Sequence, residues 1–403
     1  MSVVIIDPVS SGVNYLNAAQ QLGVDVYVFS LDGGEHELSP AIRGKARQVI
    51  KIETGNFGTQ LAMLNELGDI RAVLAGIEYA VPMAARLGAA QGNAHLSDFA
   101  LQQVRNKFNF RSRLSEAELS DIGFFLISAD QPMSVPAGFS FPAVVKPVDM
   151  AGSIGVRKVD NLEQLSEAVS AFHRSLPNDT GFTASGRLIV EEYIPGTEYS
   201  IEGIVRKDGS VTIASITEKL LGSEPYFVEV GHIVGQDYDE AFRTALTNYA
   251  LAVLDAIQLN IGPFHLEVRV TAQGQPVAIE LAARLPGDNI VELIKRACGI
   301  DLALETLCEY LGIDSPATPR RNGISAIAFI PSEDKNEFSG LRGLRGLIES
   351  PYYLAHEVYY EPGDALSADQ DWTSRIGYVM FGGSDEAAIR GLVKRVHKEV
   401  EVI

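Results

Sequence analysis

The chain has 403 residues, 46% of them hydrophobic, and a formal net charge of -19 at pH 7. Its apolar content can bury a large core, and its length predicts two or three domains. The acidity argues against nucleic acid as a partner, because contacts with a phosphate backbone need clustered lysine and arginine. No apolar run approaches the roughly 18 residues that a bilayer span needs, so we expect no membrane partner and a cytoplasmic location. The only cysteines, Cys298 and Cys308, lack metal-ligand spacing and predict neither a disulfide nor a zinc site.

The first part of the chain alternates between apolar runs and amphipathic segments. The runs VVIID, VDVYVFS, RQVIKIE and IRAVLAGIE predict strands, and the segments between and after them predict helices. This alternation is typical of an open parallel sheet. The first turn, DPVSSG, lacks the glycine spacing of a dinucleotide site. Glu78, at the end of the fourth run, is a candidate substrate contact, because ligands collect at strand ends of open sheets.

A long helical pattern, SDFALQQVRNKFNFRSRLSEAEL, begins at Ser97, which is a candidate N-cap. It carries four basic residues. The simplest interpretation of such a cluster is a solvated helix face. The four are Arg105, Lys107, Arg111 and Arg113.

The segment PAVVKPVDMAGSIGVRKV predicts a strand that ends near Lys146, a flexible loop, and a return strand. Glycines such as Gly152 and Gly155 let backbone N–H groups approach phosphate oxygens, and a neighbouring lysine supplies charge. The spacing matches neither a Walker A loop nor a kinase glycine loop. A plain hairpin turn is therefore the alternative interpretation.

The next segment, RLIVEEYIPGTEYSIEGIVR, predicts two strands separated by a Pro-Gly break. An adenine needs an apolar slot with backbone donors and acceptors at one edge, and a ribose needs an acceptor for its hydroxyls. Acids such as Glu192 and Glu198 could accept hydrogen bonds from the ribose hydroxyls. The alternative is a two-stranded ribbon whose acids face water, and for Glu192 both interpretations stay open.

The stretch HLEVRVTAQGQPVAIELAARLPGD predicts two strands joined by a tight turn at Gln273-Gly274. A two-residue loop pairs Val270 with Val277, Val268 with Ile279, and Glu267 with Glu280. The two acids then face one another with Cβ atoms about 5 Å apart, and like charges so placed repel. Without a cation, one of them is expected to hold a proton at a raised pKa. The opposite face is apolar and predicts packing into a core.

In this order, the parts of the chain resemble the ATP-grasp superfamily, in the branch of carboxylate-amine ligases related to biotin carboxylase. The combination of FVEVGH, FHLEVRVT and ELAARLPGD looks closest to the L-amino acid ligases, or dipeptide synthetases. The resemblance runs from about Val3 to the end of the chain. It implies an α/β fold with an N-terminal open parallel domain at 1–95, an ATP-grasp domain at 96–310 with a mobile lid at about 141–194, and a C-terminal β-rich module at 311–403.

The resemblance implies ATP and one or two Mg²⁺ ions, with Mn²⁺ as a possible substitute, and it assigns Glu267 and Glu280 as metal ligands. Mg²⁺ prefers oxygen ligands and is commonly held by one or two carboxylates together with substrate phosphates. Many relatives read E-x-N-x-R at the second acid, whereas this chain has Ala282 in place of the asparagine. The number of metal ions therefore stays open.

Further roles follow from the same resemblance. It implies that phosphates are held by two lysines and the glycine loop, that the adenine lies against a hinge, and that the ribose contacts an acid. The nucleotide-binding residues would be Lys107, Lys146, Gly152, Ser153, Gly155, Val156, Glu191, Glu192, Ile194 and Glu198.

The substrate residues would lie beyond the phosphates. The resemblance implies that Arg284 contacts the transferred phosphoryl group or the acyl phosphate and that Glu229 pairs with an ammonium. His232 would either orient the carboxylate or stabilise the tetrahedral intermediate. The backbone N–H of Gly287 could serve an oxyanion, and Asp288 either leaves space or invites a cationic substrate. Glu78 is a candidate for the acceptor side.

The expected activity joins an amino acid to an amine-bearing amino acid with release of ADP and phosphate. A purine intermediate or bicarbonate as the acid is one alternative, and a non-catalytic ATP-binding module, motivated by Ala282, is another. We expect small-molecule amino acid substrates and a homodimer. The C-terminal module carries no chemical motif of its own, and its expected roles are to cap the cleft and support the dimer.

Overall fold

The computed structural model describes residues 1–33, 37–128, 131–174, 176–179, 181–315, 322–332, 335–367 and 371–403. Within these ranges the fold is α/β, as predicted, with three main sheets. No helix among these residues combines the length and apolar character needed to cross a membrane.

The N-terminal unit is the predicted open parallel sheet, with strand order β3-β2-β1-β4. Its first helix ends at Gly23, which adopts a left-handed conformation with φ of 65°, as helix C-termini commonly do. The elements are β1 (Ser2–Ile6), α1 (Val13–Leu22), β2 (Asp25–Ser30), α2 (Pro40–Lys45), β3 (Gln48–Lys51), α3 (Phe57–Leu67), β4 (Ile70–Ala75) and α4 (Val81–Ala90).

The long helix predicted from Ser97 is two helices, α5 (Asp98–Val104) and α6 (Lys107–Glu116). Ser97 caps α5 as predicted, since its side chain accepts from the Ala100 N–H. The prediction of one continuous helix is wrong because Asn106 adopts an extended conformation and caps α6 through the N–H groups of Phe108 and Asn109. The break turns the start of α6, with Lys107, into the cavity described below.

The lid region forms a four-stranded antiparallel sheet in the order β5-β10-β6-β7. As predicted, a strand containing Lys146 leads through the glycine loop to a return strand. The elements are β5 (Phe124–Ser128), β6 (Ala143–Pro147), β7 (Arg157–Val159), α7 (Leu162–Arg174), β8 (Asn178–Asp179), β9 (Phe182–Thr183) and β10 (Arg187–Glu192).

An eight-stranded antiparallel sheet in the order β15-β14-β11-β12-β13-β16-β19-β18 makes up the largest layer. It runs across the domain boundary predicted at residue 311, so strands on both sides of that boundary share one hydrogen-bonded layer. The elements are β11 (Thr197–Val205), β12 (Val211–Leu221), β13 (Glu229–Val234), α8 (Glu240–Ile257), β14 (Gly262–Val270), β15 (Pro276–Ala282), α9 (Ile290–Cys298), α10 (Leu302–Leu311), β16 (Ile324–Pro331), β17 (Leu341–Arg342), α11 (Arg345–Ile348), β18 (Tyr353–Val358), β19 (Arg375–Gly383), α12 (Glu386–Glu399) and β20 (Glu401–Val402).

The β14–β15 hairpin confirms the facing pair Glu267–Glu280 but not the rest of the predicted register. Val268 pairs with Ala278, so Ile279 is the extra residue of a bulge, and the predicted pairs of Val268 with Ile279 and Val270 with Val277 are wrong. The connection is also longer than the predicted two residues, since it covers 271–275. The bulge leaves Ile279 on the cavity wall.

A shared apolar core joins the N-terminal unit to the large sheet. One buried cluster contains Leu16 of α1, Leu307 of α10 and Phe329 of β16. Because this packing fixes the N-terminal sheet against the rest of the chain, the loops that follow β1 and β4 line the same cavity as the hairpin acids.

Those two loops cross at van der Waals distance. A Cβ atom on Gly76 would lie 2.2 Å from the carbonyl oxygen of Asp7, and one on Gly12 would lie 2.5 Å from the Gly76 Cα. We expect Gly76→Ala to lower the free energy of unfolding by about 1–3 kcal/mol, because backbone must move to admit the methyl group. The midpoint of urea denaturation measures this change.

Gly391→Ala is the matched control, since this helical glycine has nothing within 4 Å of its built Cβ. It should leave stability unchanged or raise it by up to about 1 kcal/mol. An equal loss of stability in both variants would contradict the close approach at Gly76.

Candidate functional site

A cavity of about 1040 Å³ lies between the lid, the large sheet, the N-terminal loops and a segment that precedes β19. Every residue that the sequence assigned to nucleotide, metal or substrate lines this one cavity. Its size is at the upper end of what small-molecule sites use. These residues come from segments spread between Glu78 and Asp288, so the fold brings distant parts of the chain together.

The facing acids each have a cation beside them. Glu267 accepts from the Lys219 Nζ at 2.5 Å and lies 3.2 Å from the His265 Nε2. Glu280 pairs with the Lys107 Nζ at 2.9 Å. The side chains of the two lysines thus neutralise the repulsion that the hairpin register creates.

The ionisation of Glu267 differs from the sequence-based expectation. Burial would raise its pKa, but the charge of Lys219 and the hydrogen bond from His265 hold the pKa well below its ordinary value. For the same reason the pKa of Lys219 lies well above its ordinary value: burial lowers it, but Glu229 and Glu267 raise it further. Glu267 is therefore not the acid of this pair that holds a proton, because neighbouring side chains supply its counter-charge.

His265 links Glu267 to a buried anion. Its Nδ1 lies 2.9 Å from Glu202, whose carboxylate also accepts from the hydroxyl groups of Ser215 and Thr217. Burial lowers the pKa of His265, but hydrogen bonds with Glu202 and Glu267 raise it to about 9. The doubly protonated ring therefore donates to both acids at neutral pH and orients Glu267 from one side.

The donor set on this wall suits Mg²⁺. Two carboxylates face the same cavity, which matches the oxygen ligands that this ion takes from proteins when phosphates complete its shell. Ala282 lines the cavity beside them and offers no ligand atom. Among the described residues, no group of three or more His, Cys, Asp or Glu side chains is arranged to hold a metal ion.

Lys146 belongs to a buried triad. It pairs with Glu191 at 2.5 Å, and the Arg111 Nε donates to the same carboxylate at 2.6 Å. Burial raises the pKa of Glu191, but the two cations lower it below its ordinary value. The solvated helix face predicted for the basic cluster is therefore wrong at Arg111, which is fully buried, and at Lys107, which is 8% exposed.

The other two acids of this region have protein partners as well. Glu192 accepts from the backbone N–H groups of Gly123 and Ser140, so its carboxylate anchors two loops rather than facing water. Glu198 pairs with Arg269 at 3.0 Å and with Lys219 at 3.2 Å. The main chain around Ile194 and the carboxylate of Glu198 remain available to the cavity.

The glycine loop needs its glycines for conformation. Gly152, Ser153 and Gly155 all have positive φ, at 68°, 61° and 71°. A Cβ atom on Gly152 would lie 2.7 Å from the Trp372 Cδ1. The loop therefore packs against an indole from the segment before β19.

Glu78 and Arg284 meet at the N-terminal side of the cavity. The Arg284 Nε donates to Glu78 at 2.6 Å, and Arg105 donates to the other oxygen of the same carboxylate. Burial raises the pKa of Glu78, but the charges of Arg105 and Arg284 lower it below its ordinary value. An ionised Glu78 thus fixes the direction of the Arg284 guanidinium.

At the far end, Arg375 bridges two predicted substrate residues. It donates to Glu229 at 2.8 Å and to Asp288 at 2.7 Å, and the second oxygen of Asp288 lies 3.0 Å from the His232 Nε2. Asp288 therefore has partners on both oxygens, which the sequence did not indicate. Arg375 and Trp372 lie on the cavity wall, so the C-terminal part of the chain, for which no motif was predicted, contributes side chains to the cavity.

Comparison with known proteins identifies the fold and the domain. Residues 139–292 match the ATP-grasp domain family. The L-amino acid ligase from Bacillus licheniformis superimposes with a TM-score of 0.81 at 20% identity, over 100% of this chain and 98% of that one. The chain therefore contains an ATP-grasp domain.

Two further proteins are similar to this chain over most of its length. Dapdiamide A synthase from Enterobacter agglomerans is 28% identical over 307 residues, which are 74% of this chain and 70% of that protein. N5-carboxyaminoimidazole synthetase from Staphylococcus aureus, solved as a complex with ADP, superimposes with a TM-score of 0.74 at 14% identity, over 98% of this chain and 97% of that one.

Sequence reasoning missed several charged residues of this ATP-grasp site. Lys219 and His265 counter the charge of Glu267, Arg111 that of Glu191, and Arg375 that of Asp288. His265 lies in FHLEVRVT, but no motif spacing assigned a role to it or to the other three residues. The only available signal was a basic residue at an inward position of an apolar strand or, for Arg111, of a helix, where an unpaired charge is costly.

Trp372 is the only tryptophan of the chain, and 43% of it is exposed next to the glycine loop. If backbone N–H groups of this loop bind phosphate, ATP with Mg²⁺ should cover the indole. We expect the fluorescence emission to move to shorter wavelength as ATP is titrated in, and Trp372→Phe should abolish the signal. Binding of ATP by calorimetry without any change in emission would contradict this role of the loop.

Proposed function

We propose that this ATP-grasp protein is a carboxylate-amine ligase that joins an amino acid to an amine-bearing amino acid through an acyl phosphate. The observation that carries the proposal is the common cavity, in which facing acids, buried lysines and an oriented arginine surround space for a nucleotide and small substrates. The similarity to an L-amino acid ligase and to dapdiamide A synthase supports the same class of reaction.

The proposed reaction makes and breaks two bonds in turn. A carboxylate oxygen of the first substrate attacks the γ-phosphorus of ATP, and the bond from that phosphorus to the bridging oxygen breaks to release ADP. The amine nitrogen of the second substrate then attacks the acyl carbon. The carbon–oxygen bond to phosphate breaks, phosphate leaves, and the nitrogen loses a proton to give the amide.

Phosphoryl transfer depends mainly on positioning and on neutralising the charge of the phosphates. Lys107 and Lys146 are the candidate phosphate contacts, and Glu267 and Glu280 would hold Mg²⁺, which supplies further neutralisation of the phosphate charge when bound. Lys107 pairs with Glu280, and Lys146 pairs with Glu191. Nucleotide binding would replace a carboxylate partner of each lysine with a phosphate oxygen.

Arg284 is proposed to contact the acyl phosphate. A guanidinium suits this role because its planar donors match phosphate oxygens, and Glu78 holds it from behind at 2.6 Å. Glu229 is proposed to pair with the ammonium of an amino acid, and His232 to orient its carboxylate. The backbone N–H of Gly287 would serve the oxyanion of the tetrahedral intermediate.

A screen of phosphate release over all pairs of amino acids, with mass spectrometry of positive reactions, tests the proposal. We expect at least one pair to release ADP and phosphate and to give a product lighter than the two substrates together by one water. Turnover only with bicarbonate or a purine intermediate would assign the protein to another ATP-grasp reaction. ATP binding without ADP release for every pair would instead indicate a non-catalytic module.

Glu280→Gln tests the proposed metal ligand, since the substitution removes the charge of the side chain with little change in its volume. We expect turnover to fall by about 100-fold or more, because metal-assisted charge neutralisation contributes several kcal/mol to the transition state. Glu66→Gln on the exposed surface of α3 is the matched control and should keep full activity. Full activity of Glu280→Gln, with both variants equally stable to heat, would refute the metal assignment.

A further inference from the structure

The ion-pair cluster around Arg375 is more elaborate than a single substrate contact requires. Arg375 is only 6% exposed, and its guanidinium carbon lies 3.9 Å from the centre of the Phe329 ring. Its two terminal nitrogens donate to Glu229 and Asp288. Phe329 also packs edge-on against His232, with ring centres 5.8 Å apart.

Arg375 is held by regular structure rather than by a loop. It is the first residue of β19, which pairs with β16 on one side and β18 on the other. A side chain on a paired strand with two carboxylates and a ring around it has little freedom to move. The residue also lies outside the 139–292 segment that matches the ATP-grasp domain family, so it is added to that domain from the C-terminal part of the chain.

The charge of Asp288 is compensated by neighbouring side chains. Asp288 has Arg375 on one oxygen and His232 on the other. Burial would raise its pKa, but the charge of Arg375 and the hydrogen bond with His232 hold the pKa far below its ordinary value. Asp288 is therefore ionised and already neutralised within the protein.

Glu229 has two cationic partners, and it shares both of them with other acids. Arg375 also contacts Asp288, and Lys219, the second partner of Glu229, also serves Glu198 and Glu267. Glu198 and Glu267 have further basic partners of their own, Arg269 and His265. At Asp288, both carboxylate oxygens have protein partners, so neither is left for a cation of the substrate.

Resting on the ligase function proposed above, we infer that Arg375 sets the charge preference of the amino acid pocket. By neutralising Asp288, it makes the pocket select an amino acid with an uncharged side chain. The sequence left two options for Asp288, namely free space or an invitation to a cation. The ion pair with Arg375 provides a third option, in which the charge of Asp288 is compensated by the protein.

Reciprocal variants test this inference, starting from an amino acid pair that the wild type joins. Arg375→Met leaves Asp288 without its cation, so kcat/KM for lysine relative to the uncharged norleucine should rise at least tenfold. Asp288→Asn leaves Arg375 with one carboxylate fewer, so kcat/KM for glutamate relative to glutamine should rise at least tenfold. The double variant should return both ratios to within about threefold of the wild type.

Two further variants separate charge selection from a general loss of structure. Arg375→Lys keeps the positive charge and should keep the preference for uncharged side chains. Arg390→Met removes an arginine that pairs with Glu218 and Glu386 outside the cavity, and it should leave both ratios unchanged. Unchanged ratios in Arg375→Met, in a variant that still turns over, would overturn the inference and leave the ligase function intact.

Failure of the proposed function gives a different result. If the wild type joins no pair, calorimetric titration of lysine, norleucine and glutamate into wild type and Arg375→Met reads the charge preference directly. Tighter binding of norleucine than lysine by the wild type, reduced or reversed in Arg375→Met, would support the inference without the ligase. Equal preferences in the two proteins, or no binding of any of the three, would overturn it.

Discussion

Two carboxylates held face to face on one cavity wall, each beside a cation, are the feature on which the site depends. Like charges at neighbouring positions of a hairpin repel, yet Glu267 keeps a low pKa because Lys219 and His265 lie beside it. Glu280 has Lys107 from the start of α6. The hairpin, the central strands and α6 must therefore keep their relative positions for each acid to keep its cation.

The same rule extends through the cavity, where buried charges occur in pairs or triads. Removing one partner of such a group is costly, since it leaves a charge out of water without compensation. Each of the three lysines lies beside an acid that lines the cavity. The charges of these lysines are therefore compensated within the protein.

Three parts of the chain line the cavity. The segment that matches the ATP-grasp domain contributes Glu267, Glu280, the glycine loop and Arg284. Lys107 and Glu78 come from before it, and Trp372 and Arg375 from after it. Because the large sheet runs without interruption from β15 to β18, these later residues are fixed relative to the acids by hydrogen-bonded strands.

The sequence alone determined what depends on neighbours along the chain: the parallel N-terminal sheet, the cap at Ser97, the glycine loop and the facing acids of the hairpin. It also assembled the site residues in outline, through the resemblance of ordered motifs. Only the tertiary structure decided the bulge at Ile279, since a strand with apolar residues at both 278 and 279 does not reveal which one faces the core. The same holds for the partners of the buried charges, such as Arg375 with Asp288, which are 87 residues apart. A pair of this kind exists because the fold brings distant strands together, and no local pattern encodes which opposite charge will lie within reach.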